Sequence, residues 1–209
     1  MERAISIFTS VFSNHKATSE LRSEIVRKAL HFLIALAPSM AAINKTATVA
    51  FLLVGTLGYT LMEYLRLSGI KVPVISSITS IASRPRDIGK FVMGPVTLGL
   101  GALLALLLYP SNAAAIAIYA LAFGDGIASL AGRFLGKHRP AFLLGKSIEG
   151  SLACFSVVFV SAYAVSGRFY VALVAAFTAT AIEALPLEDY DNLAIPIAVG
   201  LAVQFAAFV

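Results

Sequence analysis

Seven apolar stretches, near residues 29–43, 47–65, 91–109, 113–135, 148–166, 169–185 and 192–208, occupy most of the 209-residue chain, and nearly all of its charge lies between them. A helix needs roughly 20 apolar residues to cross the hydrocarbon core of a bilayer. Such a helix satisfies its backbone N–H and C=O groups within its own segment, which the lipid cannot do for it. Hydrophobic residues make up 59% of the chain and charged ones 13%, half the roughly 25% of a water-soluble domain. The sequence therefore predicts an all-α, polytopic membrane helix bundle of about seven transmembrane helices. The first stretch is short and extends into the polar residues before it.

The cations give an orientation. Arg3, Lys16, Arg22, Arg27 and Lys28 precede the first stretch; Arg66, Lys71, Arg84, Arg86 and Lys90 follow the second; Arg133, Lys137, Arg139 and Lys146 follow the fourth. The intervening connections carry at most one, Lys45 or Arg168. The positive-inside rule then predicts a cytoplasmic N-terminus and an external C-terminus. Residues 1–28 are read as a cytoplasmic amphipathic arm, with Ile5, Phe8, Val11 and Phe12 on one face, and residues 29–209 as one transmembrane domain. The arm has no long apolar core before a small-residue cleavage site, so it is not a cleaved signal. The net charge of +5 is spread over short clusters between spans, which argues against nucleic acid as a partner. The lone Cys154 excludes an intrachain disulfide.

Asp125, between Gly124 and Gly126, falls inside the fourth stretch. A carboxylate in hydrocarbon is expensive and usually functional. The predicted orientation puts Glu63, Glu149, Glu183, Glu188, Asp189 and Asp191 on the same cytoplasmic side. Magnesium takes hard oxygen donors, usually one or two carboxylates with water and phosphate completing the shell. Asp125, Glu183, Asp191 and Asn192 supply such donors if the fourth, sixth and seventh spans are neighbours. Glu188 and Asp189 fit better as a solvated turn. Either the glycines break the helix at Asp125, or a water-filled hollow reaches it from the cytoplasm.

Cations stand beside these acids. Lys146, between Gly145 and Ser147, suits neutralisation of phosphate oxygens, and Ser147 is placed to cap the next helix. Arg133 and Lys137 fit ordinary topology signalling. Ala128, Gly132 and Gly136 recur at the four-residue spacing that brings membrane helices together, which is compatible with a phosphate approaching their backbone. The spacing of a Walker A loop is absent. Glu24, Arg27, Lys28 and His31 share one helical face, where Lys28 and His31 suit a phosphate or carboxylate contact. Glu63 and Arg66, three apart, suit pairing with each other.

Together these residues resemble the family of dolichol kinases, phytol kinases and CTP-dependent diacylglycerol kinases. The resemblance runs through Arg27, Lys28 and His31, Glu63 and Arg66, the Asp125-x-x-Ala128-x-x-x-Gly132-x-x-x-Gly136 segment, Gly145-Lys146-Ser147-x-Glu149-Gly150, Glu183, and Asp191-Asn192 before Pro196. It departs at Gly145, where a second cation is expected beside Lys146. It implies a membrane enzyme that transfers the terminal phosphate of CTP, with Mg2+ or another divalent cation, to the hydroxyl of a lipid alcohol. Asp125, Lys146, Glu149 and Glu183 would be catalytic. Gly132, Gly136, Arg139, Lys146, Ser147, Lys28 and His31 would contact the nucleotide, and Asp125, Asp191 and Asn192 the metal. A phosphatidate cytidylyltransferase is the nearest alternative, although its serine, lysine-arginine and paired-aspartate signature is missing. A small secondary transporter, with Asp125 on its path, is the alternative of another class.

Overall fold

The computed structural model describes residues 23–70, 72–73, 79, 83, 87 and 89–206. The apolar face of the arm, with Arg3, Lys16, Arg22, Lys71, Arg84 and Arg86, lies outside the described residues. Every regular element described is helical. The elements are α1 (residues 23–34), α2 (Ala37–Leu67), α3 (Gly94–Leu108), α4 (Ser111–Tyr119), a π-helical segment (Ala120–Asp125), α5 (Gly126–Phe134), a 3-10 turn (Ala141–Leu143), α6 (Ile148–Ser166), α7 (Phe169–Glu183) and α8 (Asp191–Ala206).

Three helices are long and apolar enough to cross a membrane: Ala37–Leu67, the continuous run Ser111–Phe134, and Ile148–Ser166. The other apolar helices, α3, α7 and α8, have 15, 15 and 16 residues. At 1.5 Å per residue they cover about 23 Å, short of the roughly 30 Å of hydrocarbon. The boundaries follow local chemistry. Ser147 caps α6, its Oγ accepting from the Gly150 N–H at 3.1 Å. Gly167, at φ 64°, ends that helix in the left-handed region.

The expected first span is divided. Residues 35–36 form a turn before Pro38, the second residue of α2, where a missing N–H does no harm. Asn44 then leaves helical geometry at φ −152°, ψ 99°, and its Oδ1 accepts from the Ala47 N–H at 3.0 Å, so the helix restarts there.

The chain forms two compact units, one of residues 1–30 and 59–92, the other of 31–58 and 93–209. In the second, α6 packs on α5 and α7, α7 on α8, and α8 on α3 and α4. Lipid is as apolar as leucine, so contact with lipid does not drive these helices together, and close packing of small residues must. The interior matches that requirement, with Ala102, Ala105, Ala117, Ala172, Ala175 and Ala179 fully buried. A Cβ at Gly101 would strike the Asn192 carbonyl, which Pro196, four residues on, leaves without its helical donor. The run through Asp125 is the central helix: 67% of its most apolar stretch is buried, against 17% for α2.

In the first unit, Glu63 is fully buried. Arg66 donates to both its oxygens at 2.7 Å, the Val92 N–H donates at 3.0 Å and the Thr79 hydroxyl lies at 3.5 Å. Arg66 also donates to the Lys90 carbonyl at 3.0 Å, so this pair ties the end of α2 to residues 90–92.

Candidate active site

The site lies in the second unit, around the end of the central helix. Between Tyr119 and Gly126 the backbone widens into a π turn that ends on Asp125. The extra residue rotates α5 by roughly 100° relative to α4, one residue of helical rotation. Such insertions are frequent at functional sites. Asp125 is buried, at 3% exposure. The chain stays helical through both neighbouring glycines, so they do not break the helix as one reading of the sequence allowed. They admit neighbours instead: a Cβ on Gly124 would lie 2.9 Å from Val158 Cγ2, and one on Gly126 2.9 Å from Phe32 Cε1.

Phe32 belongs to the same turn as His31, whose Nδ1 lies 3.1 Å from Asp125 Oδ2. His31 is buried too. The carboxylate contact expected for His31 is therefore with Asp125.

Lys146 reaches the same end of the bundle from the loop before α6. Its Nζ donates to Glu183 Oε1 at 2.5 Å. Glu183 closes α7 and is buried, at 3% exposure. Burial pulls the lysine pKa down, but Glu183, then Asp125 and Asp191, outweigh it and raise the value above 10.5, so the group stays a cation. Asn192 stands in the first turn of α8, next to Asp191. Its Nδ2 donates to Thr97 Oγ1 at 3.0 Å and to the Gly94 carbonyl at 3.3 Å. Glu183 Oε2 and Asn192 Oδ1 are buried oxygens with no hydrogen-bond partner among the described residues. An unmet buried acceptor costs about 1–3 kcal/mol.

The remaining expected residues form a neighbouring cluster that holds the loop. Glu149 accepts from the backbone N–H groups of Lys137 at 3.1 Å and His138 at 3.2 Å, with the His138 ring at 2.7 Å. Arg139 donates to the carbonyls of Gly145 and Gly132, both at 2.7 Å. Gly132, Gly136 and Gly150 bring α5 against α6 around Ser147; a Cβ at Gly136 would meet the Gly132 carbonyl and lie 2.7 Å from Ser147 Oγ. The site proper thus gathers Asp125, His31, Lys146, Glu183, Asp191 and Asn192, while Glu149 and Arg139 shape the loop that presents Lys146. In the first unit, Lys28 lies 3.9 Å from Glu24, which also meets Arg27 at 3.0 Å.

Two contributors were not expected from sequence. Thr97 carries no charge or motif to single it out, and the π turn leaves no trace in the apolar pattern.

The donor set bears on a metal. Among the described residues no three His, Cys, Asp or Glu side chains converge on one point, which argues against a closed all-protein cage. Magnesium on a nucleotide needs only one or two carboxylates. Asp125 and Asp191 both act on the charge of Lys146, so both carboxylates lie within electrostatic reach of that cation. No protein-family model, curated protein or solved structure matches the chain.

Proposed function

We propose that the chain is a multi-pass membrane phosphotransferase, of the CTP-dependent lipid-alcohol kinase type that its sequence resembles. It transfers the terminal phosphate of CTP to the hydroxyl of a dolichol or polyprenol, phytol or diacylglycerol. The orientation inferred from the cations puts the site on the cytoplasmic side, where a soluble nucleotide and a membrane alcohol both have access. The observation that carries this reading is the Lys146–Glu183 pair, set beside buried Asp125 and two unmet acceptor oxygens at one end of an apolar bundle.

Phosphoryl transfer asks a protein mainly for positioning and for charge opposite the transferred group. Lys146 supplies a permanent cation, and Glu183 fixes its direction. Glu183 Oε2, which has no donor among the described residues, would accept the proton of the attacking alcohol. Asp125, Asp191 and Asn192 would hold a magnesium ion, which neutralises phosphate charge when bound. His31 Nδ1 lies 3.1 Å from Asp125 Oδ2, and a protonated ring there would pair with the carboxylate.

The test supplies purified protein with terminally labelled CTP, magnesium and each lipid alcohol in turn. Labelled lipid phosphate with release of CDP supports the reading, provided that Asp125→Asn abolishes it. A cytidylyl-lipid with release of pyrophosphate would assign the cytidylyltransferase reaction instead, and solute flux without nucleotide a transporter.

A further inference from the structure

The second unit holds a cleft of about 280 Å3 along the first half of the central helix, lined by that helix from Ser111 to Tyr119. Ser111, where that helix starts, lines the cleft. The helical rise to Asp125 is roughly 20 Å from Ser111 and roughly 9 Å from Tyr119, so it is the Ser111 end of the cleft that stands apart from the site described above.

Its polar wall is made by Ser39, Lys45, Ser111 and Asn112, and its apolar wall includes Leu106 and Val165. No carboxylate lines it, and Lys45 makes no ion pair among the described residues. Two helix starts converge here. One is at Ser111, after Pro110; the other is the restart of α2 at Asn44, beside Lys45. First-turn N–H groups lack helical acceptors and carry positive partial charge. Lysine and the helix starts therefore make the cleft electropositive, and among the described residues no carboxylate lines it.

The surroundings say what kind of anion fits. Ile43, Leu107 and Leu108, adjoining the lining residues in sequence, are 89%, 60% and 57% exposed, as residues against acyl chains would be. A small water-soluble anion would leave them unused. We infer that this cleft binds the phosphate of an anionic phospholipid, with Lys45 as its counter-charge, Ser39, Ser111 and Asn112 as hydrogen-bond donors, and the acyl chains along Ile43, Leu107 and Leu108. The site does not depend on the proposed phosphotransfer.

The experiment is lipid retention by native mass spectrometry of the full chain, exchanged into detergent with equal phosphatidylglycerol and phosphatidylcholine. The wild type retains phosphatidylglycerol in preference. Lys45→Ala weakens that retention about fivefold, the effect expected of one basic residue at a membrane surface. Lys45→Arg keeps it, and so does Arg168→Ala, a cation outside the cleft. Because Lys45 is exposed, its replacement leaves the fold intact, which circular dichroism checks. Equal retention of phosphatidylcholine, or Lys45→Ala behaving as the wild type, overturns the inference. Displacement of phosphatidylglycerol by inorganic phosphate or glycerol 3-phosphate at matched concentration overturns the lipid as source of the anion.

Discussion

Glu63 and Glu183 are both buried carboxylates facing a cation, and they are finished differently. Every oxygen of Glu63 is used, by the two-pronged Arg66 guanidinium and the Val92 N–H, with Thr79 close by. Glu183 meets Lys146 with one oxygen and leaves the other without a donor. A saturated buried pair has no capacity left for a ligand, and its consequence is rigidity. An unsaturated one keeps an acceptor with which a donor from a ligand could pair. Burial and charge are common to both, so the open valence is what sets Glu183 apart from Glu63.

The largest effects should come from breaking the unsaturated side. Asp125→Asn and Lys146→Met should each lower turnover by about 10²–10³-fold, the usual loss when one preorganised charge opposite a reacting group is removed. Glu183→Gln should fall in the same range while changing stability by less than about 1 kcal/mol, because the lost ion pair is replaced by an amide that satisfies Lys146 through its carbonyl. Labelled-CTP transfer with melting curves in detergent reads both quantities. A Glu183→Gln protein that melts early and turns over normally would show that Glu183 belongs with Glu63.

Glu63→Gln should give the reverse pattern. Breaking a fully buried pair costs about 3–5 kcal/mol. Arg66 is one-quarter exposed, so water recovers part of this and the expected loss is about 2–3 kcal/mol. Transfer per folded molecule should fall less than about twofold, since nothing chemical is asked of a saturated acid. Unchanged melting with lost transfer would reverse the assignment of the two acids.

Much of this arrangement was legible in the sequence, and the reason is local. Ser147 marks a helix start through capping geometry that depends on few neighbours. Asp125 stood out because a carboxylate in an apolar run has no inexpensive explanation. The choice between Glu149 and Glu183 was not legible. Both are single acids near helix ends, and only the packing of α7 on α6 brings one to Lys146 while the 137–138 turn engages the other. Gly124 and Gly126 were ambiguous for the same reason: a helix break and a close neighbour call for the same residue, and the neighbours are Val158 and Phe32.

A smaller effect separates the loop from the site it presents. Ser147→Ala removes the cap of α6 and should cost about 1 kcal/mol. Lys146 then loses its fixed approach to Glu183, so transfer should fall more than the stability loss explains. Ser147→Thr, which keeps the hydroxyl, should recover most of it. If alanine lowers stability and transfer in proportion, the cap matters only to the helix.

The smallest expected effect is an absence of change with pH. Burial alone would draw the Lys146 pKa down, and Glu183, Asp125 and Asp191 together raise it instead. A group whose folded pKa is raised contributes stability that is fully present below its unfolded value, here 10.5, and lost as pH climbs through the folded one. From about pH 7 to 9, well below the ordinary lysine range, wild type and Lys146→Arg should therefore show no alkaline limb of turnover from this residue. Above 10.5 the melting temperature of the wild type should fall more steeply than that of Lys146→Arg, whose guanidinium remains charged. A limb near neutral pH that disappears in Lys146→Arg would mean the carboxylates do not outweigh burial, and that Lys146 enters the reaction as a neutral amine.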